Sequence, residues 1–280
     1  FASYYPSRFF DVGIAEQHAV SMAAGMARGG YRPYFAVYST FLQRAYDQIV
    51  HDVCLQNLPV CILSDHVGLV GDDGKTHHGV LSVPMLMSIP NLTLLAPRDT
   101  RQIRQAVRAT LKLDGPCVVQ YPKEGIEPYA QNVTGEPFAV GKWQTLIPGG
   151  QDAVILAYGR MTQNAIQASE LLVQRGLSVG VIDCCSLKPL DMDCLRALFE
   201  RRAKIVTIEE GEMIGGFGSE IARVCVEENA DAPVQIIGLE NRFITHGSVP
   251  ELLRECGLTP EQLADRIEEI AGDKESSHVG

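Results

Sequence analysis

The feature that most constrains this chain is an alternation repeated twice: short apolar runs bounded by turn residues, each followed by a segment of helical period. Runs at 34–38, 60–64, 92–96 and 117–121 read as strands, with helices near 15–28, 40–56 and 100–113 between them. Strands separated by helices pair in parallel, and a parallel sheet must be covered on both faces. Residues 122–137 (PKEGIEPYAQNVTGEP) break the pattern with Pro, Gly and polar residues, after which it resumes. Strands are then expected at 153–158, 178–183, 204–209 and 234–238. Helices are expected near 162–174, 191–200, 218–228, 248–256 and 260–271. The expected fold is α/β, with two consecutive parallel-sheet domains. The first covers 1–125, a linker covers 126–136, the second covers 137–272, and a disordered tail covers 273–280.

A length of 280 residues suits two domains of about 100–200 residues each. The net charge of −10 argues against nucleic acid or an anionic membrane as partner. No apolar run approaches the roughly 18 residues that a membrane span needs. The opening FASYYPSRFF lacks the basic-then-apolar pattern of a secretory leader, so the expected location is cytoplasmic. Eight cysteines, at 54, 61, 117, 184, 185, 194, 225 and 256, include no C-x-x-C pair and lie mostly in apolar segments. They read as reduced core cysteines, and no metal cluster is expected. The chain opens on Phe1 and runs through a short loop into its first helix, which reads as a piece of a longer polypeptide.

Several segments carry chemistry. DVGIAEQHAV at 11–20 places Glu16 at the start of a helix bearing Ala15, Ala19, Ala23 and Ala27. A first-turn acid complements the positive end of a helix and is often no more than that. Among alanines it has few solvated neighbours, and burial disfavours its ionised form, which suits a proton-handling group. YSTFLQRAYDQIVHD at 38–52 sets Phe41 and Arg44 one turn apart, while Asp47 and His51 read as an i,i+4 surface pair. SDHVGLVGDDGKTHHG at 64–79 follows a buried strand, where ligands gather beyond the carboxyl ends of a parallel sheet. Its Asp65, His66, Asp72, Asp73, Lys75, His77 and His78 suit proton transfer or anion binding, or else make a polar surface loop. GGFGS at 215–219 lacks phosphate-loop spacing and follows Glu209 and Glu210, so it reads as a tight packing turn. Asp99 with Gln102 resembles a capping box, and Thr259-Pro260 with Gln262 starts the last helix.

In this order and spacing, DVGIAEQHAV, YSTFLQRAYDQIVHD, GLVGDDGKTHHG and PNLTLLAPRD closely resemble the 1-deoxy-D-xylulose 5-phosphate synthases. These are thiamine-diphosphate-dependent enzymes of the transketolase group, and the resemblance covers essentially the whole chain. It implies that 1–125 is most of a pyrimidine-binding domain and 137–272 a transketolase C-terminal-type domain. It further implies that Glu16 hydrogen-bonds the aminopyrimidine and activates the cofactor, that Phe41 stacks on that ring, and that Tyr38 and Arg44 line its pocket. His77 and Asp73 match groups facing the substrate, with His77 placed to assist proton transfer. The implied reaction condenses pyruvate, with decarboxylation, and glyceraldehyde 3-phosphate, feeding isoprenoid and thiamine synthesis.

Two departures touch the acceptor. The family reads D-R-A-G and Y-P-R-G where this chain has DHVG and YPKE, so His66 and Lys123 replace two phosphate-holding arginines. Lys123 keeps a charge without the planar fork, and a histidine is charged only in part near neutral pH. The substitution implies weaker phosphate binding or another acceptor. The family's diphosphate and Mg2+ site, with its G-D-G motif, has no match, since GDDGK at 71–75 is a different element. The resemblance thus implies a missing N-terminal diphosphate-binding domain or subunit, a homodimer, and no turnover by the isolated chain. The alternatives are the small subunit of a split transketolase-like enzyme with a different acceptor, and a non-catalytic binding paralogue.

Overall fold

A computed structural model of the chain describes residues 1–126 and 138–272. The expected linker, apart from Ile126, and the expected tail lie outside the described residues. Two five-stranded sheets form. The first runs in the order β1 (Tyr34–Tyr38), β2 (Cys61–Asp65), β4 (Cys117–Gln120), β3 (Thr93–Leu95), β8 (Ser186–Lys188). The second runs β10 (Val234–Leu239), β9 (Ile205–Glu212), β6 (Ala153–Ala157), β7 (Val179–Asp183), β5 (Gln144–Ile147). The expected strands are present and pair in parallel, each sheet burying apolar runs such as the AVILA of β6 on both faces.

Two edge strands were not expected. β5 pairs antiparallel with β7, and β8 pairs antiparallel with β3, with Leu94 opposite Lys188. Chain from the second domain therefore completes the sheet of the first. The core is shared in the same way: Val20, Leu42 and Leu94 belong to one buried cluster with Leu156, Trp143 and Phe217. Phe217 meets the rings of Trp143 and Tyr158 edge-on, at 6.0 and 5.6 Å. Fully burying a side chain of this size stabilises by about 1.5–3 kcal/mol, so the shared core ties the domains firmly.

Helices α1 (Glu16–Arg28), α4 (Ser82–Met87) and α5 (Thr100–Thr110) accompany the first sheet. Helices α6 (Met161–Gln174), α7 (Met192–Glu200), α8 (Phe217–Glu227), α9 (Val249–Glu255) and α10 (Pro260–Gly272) accompany the second. The single helix expected at 40–56 is instead broken. It comprises α2 (Ser39–Leu42), a 3-10 turn (Gln43–Ala45), α3 (Tyr46–Gln48) and a π-helical stretch (Ile49–Cys54). No Pro or Gly marks these changes of pitch, so the sequence gives no sign of them. His51 accordingly pairs with Asp52, at 3.0 Å, and Asp47 acts on it only through its charge. The capping at α5 is also partly different: Asp99 accepts from Gln102 N at 2.7 Å, but the Gln102 side chain accepts from Arg98 N.

The GGFGS segment is the packing turn its sequence suggested. A Cβ on Gly218 would stand 2.4 Å from Thr207 Oγ1, leaving no room for any side chain. The neighbouring glutamate supports the turn, since Glu209 accepts from the amides of Phe217 and Gly218 at 3.0 and 2.9 Å. All eight cysteines are free thiols, six of them buried. Among the described residues no helix is long and apolar enough to cross a membrane.

Candidate active site

The first sheet delivers its groups at one edge. Register places Tyr38 beside Asp65 and Ser64 beside Gln120, so the carboxyl ends of β1, β2 and β4 lie together. The chain leaving β2 turns at once, with His66 at φ +56°, and its loop closes against the start of α2. There Ser39 Oγ donates to the His66 carbonyl at 2.8 Å. A Cβ on Gly79 would stand 2.2 Å from both of those oxygens, so only glycine allows this closure.

Four rings form a continuous run at this edge. His66 stacks on Tyr38 with centroids 3.7 Å apart, and Tyr38 stacks on Phe41 at 5.1 Å. His77 meets Phe41 edge-on at 5.6 Å. Phe41 remains 37% exposed, an aromatic surface of appreciable size left open beside polar groups.

Glu16 is the first residue of α1 and is only 6% exposed. Arg44, three residues after Phe41, donates from Nη1 to Glu16 Oε2 at 3.3 Å and is itself half-exposed. A buried carboxylate held by one long contact keeps most of its hydrogen-bonding capacity unused.

Beyond the rings, Lys123 Nζ donates to Asp73 Oδ2 at 2.6 Å. The pair favours both charges: Lys123 holds the Asp73 carboxyl below its usual range, and Asp73 raises Lys123. The field at Asp73 includes His77 and His66, and that at Lys123 includes Tyr38, so this pair belongs to the same cluster. His66 Nδ1 lies 3.0 Å from Asp65 Oδ1. Burial pushes the Asp65 carboxyl up, with His66 opposing.

The structure thus brings Glu16, Tyr38, Phe41, Arg44, His66, Asp73, His77 and Lys123 to one edge of the first sheet. His78, by contrast, is buried structure: its Nδ1 accepts from Val70 N at 3.1 Å and its Nε2 donates to the Thr245 carbonyl at 2.9 Å. Sequence reasoning missed what holds the loop from behind. Glu210, in β9 of the second domain, accepts from Leu69 N at 2.8 Å and lies 3.2 Å from Arg160 Nη1. The available signal was the EEG within an otherwise apolar strand, where acids need specific partners. Among the described residues no group of three or more His, Cys, Asp or Glu could hold a metal ion.

Residues 1–127 match the transketolase pyrimidine-binding domain family, and residues 141–263 match the transketolase C-terminal domain family. The 1-deoxy-D-xylulose-5-phosphate synthase of Geobacillus thermodenitrificans is 45% identical over 277 residues, covering 98% of this chain and 44% of that protein. That of Bacillus velezensis is 43% identical over 282 residues, again 44% of its length. The chain thus spans under half the length of these relatives. Among solved structures, a split-gene transketolase described as an inactive β4 tetramer superposes with a TM-score of 0.88 at 31% identity, covering 98% of this chain and 88% of that one. Transketolase from Pichia stipitis shares the fold at a TM-score of 0.76, with 19% identity over 94% of this chain and 38% of its own. With both domain families matched in sequence order, and a relative of nearly its own length among them, this chain belongs to the transketolase family.

Proposed function

We propose that this chain supplies the pyrimidine half of a thiamine-diphosphate site in an enzyme of the 1-deoxy-D-xylulose 5-phosphate synthase type. The observation that carries the reading is the pairing of a buried, under-bonded Glu16 with an open aromatic surface on Phe41. These residues fit an aminopyrimidine, which needs a flat apolar platform and a proton-sharing acid at a ring nitrogen. When bound, thiamine diphosphate supplies the carbon nucleophile and the electron sink for decarboxylating pyruvate.

The protein groups do the rest. Glu16 Oε1, the oxygen not engaged by Arg44, holds the proton shared with the ring. Arg44 fixes the orientation of that carboxyl, and Tyr38 backs Phe41 so the platform stays flat. His77, packed against the Phe41 edge, gives a proton to the oxygen of the acceptor aldehyde. His66 and Lys123 contact the acceptor, glyceraldehyde 3-phosphate, at its phosphate end, and Asp73, which holds Lys123, faces the substrate. The metal and the diphosphate are assigned to a diphosphate-binding domain or subunit outside these 280 residues, a reading supported by the chain matching only 44% of the length of the synthases it resembles. A homodimer working in the cytoplasm fits two further features. Phe1, Tyr4, Tyr5, Phe9, Phe10 and Ile14 are exposed and need a cover, and the thiols are all free.

The test is Glu16→Gln in the complete enzyme with its diphosphate-binding part. Pyruvate turnover should fall by at least about a hundredfold while circular dichroism stays unchanged. Near-normal turnover refutes the role given to Glu16. A second reading, the small subunit of a split transketolase-like enzyme with another acceptor, is favoured by the high coverage of the split-gene relative.

A further inference from the structure

Cys61 and Cys117 occupy opposed positions. They are Cα partners at the first residues of the neighbouring parallel strands β2 and β4. Partnered residues on adjacent strands point to the same face, and both thiols belong to one small buried cluster with Leu95, Ala106 and Val119. Adjacent strands lie about 4.7–4.9 Å apart. That spacing falls inside the about 4.4–6.8 Å between Cα atoms that a disulfide spans. Each thiol shifts the other's acidity, Cys117 lowering Cys61 and Cys61 raising Cys117.

From this in-register juxtaposition we infer that Cys61 and Cys117 are an oxidation site that closes to an intrachain disulfide within the first sheet. The chemistry of Cys61 agrees. Burial pushes up the thiols of Cys54, Cys184, Cys185, Cys194 and Cys256, whereas the neighbouring Cys117 and Thr110 lower that of Cys61. Cys61 is therefore the attacking sulfur and Cys117 the resolving one. The oxidant is a peroxide, small enough to reach residues that are 4% and 2% exposed. Cys61 thiolate attacks one peroxide oxygen, breaking the O–O bond, releasing hydroxide and becoming a sulfenic acid. Cys117 sulfur then displaces that hydroxyl and loses its own proton. In sum two thiols give up two electrons and two protons, and one peroxide becomes two waters. Both strands run on to the candidate active site, so the new bond joins their amino ends, at the far end of the sheet from it.

The experiment treats the folded chain with hydrogen peroxide, blocks remaining thiols, and maps the cysteines by non-reducing peptide mass spectrometry. The expected result is one linked species carrying the Cys61 and Cys117 peptides, short of two hydrogens, restored to two peptides by dithiothreitol. In Cys61→Ser the link is lost and Cys117 stays a thiol; in Cys117→Ser, Cys61 accumulates as sulfenic acid and traps a dimedone tag. The inference is overturned if the half-buried Cys194 and Cys256 oxidise while Cys61 and Cys117 both remain blockable thiols. It is equally overturned if Cys61 is driven to sulfinic acid with no link to Cys117. Because the readout needs no cofactor or substrate, it stands apart from the proposed activity.

Discussion

Buried carboxylates are treated differently in the two domains. In the second, Glu209 receives two backbone amides, Glu210 receives the Leu69 amide beside Arg160, and Asp183 Oδ2 receives both Arg98 and Gln102. In the first, Glu16 is also buried, yet its partner is a single 3.3 Å contact from half-exposed Arg44. A carboxylate closed in by fixed donors holds structure together; one left with free capacity is open to a ligand. The donors around Glu209 and Glu210 set them apart from Glu16, while Asp183 is held at Oδ2 and keeps Oδ1 without a partner.

The contrast breaks first if stability ignores it. Glu210→Ala leaves the Leu69 amide and the Arg160 guanidinium without their acceptor and should cost about 3–5 kcal/mol in urea unfolding. Glu16→Ala should cost about 1 kcal/mol, the worth of one hydrogen bond. Equal costs would remove the distinction.

The next test uses pH. Burial raises Glu209 to about 7, outweighing the amides that favour its ionised form. Because the folded value lies above the unfolded one, ionisation opposes folding. Stability is therefore greatest below about pH 4.5 as far as this group is concerned, falls as pH rises toward about 7, and then levels. The loss should be about 3 kcal/mol, with Glu210 and Asp183, also raised by burial, adding in the same direction. Denaturant midpoints at pH 5 and pH 8 check it, and Glu209→Gln should flatten the difference.

Smaller effects sharpen the ligand side. Phe41→Ala in the complete enzyme should weaken thiamine diphosphate about tenfold by calorimetry, the loss of a stacked aromatic contact, with little change in melting. Replacing His66 and Lys123 together by arginine should lower the KM for glyceraldehyde 3-phosphate several-fold, since a planar fork grips a phosphate with two parallel bonds. An unchanged KM would place the phosphate elsewhere.

Much of the fold was legible because alternating apolar runs and helical periods leave few options for how the elements pack. The strands QTLI and SLK escaped notice because three or four residues at a sheet edge carry no period of their own. The broken helix after Tyr38 escaped because its residues favour helix throughout and no breaker marks the change. At the candidate site, Glu16, Phe41 and Arg44 were legible as a local motif. Glu210 was not: it meets Leu69 across 141 residues of sequence, and nothing near either residue names the other.

Strand β8 carries a practical consequence. A polypeptide ending before Gly141 would keep every residue of the first-domain motif but would leave β3 with an unpaired outer row of backbone groups, since Ser186–Lys188 would be gone. Uncovered strand edges recruit other strands, so such a fragment should aggregate or swap segments between copies, and no mutation in the first domain alone would cure it.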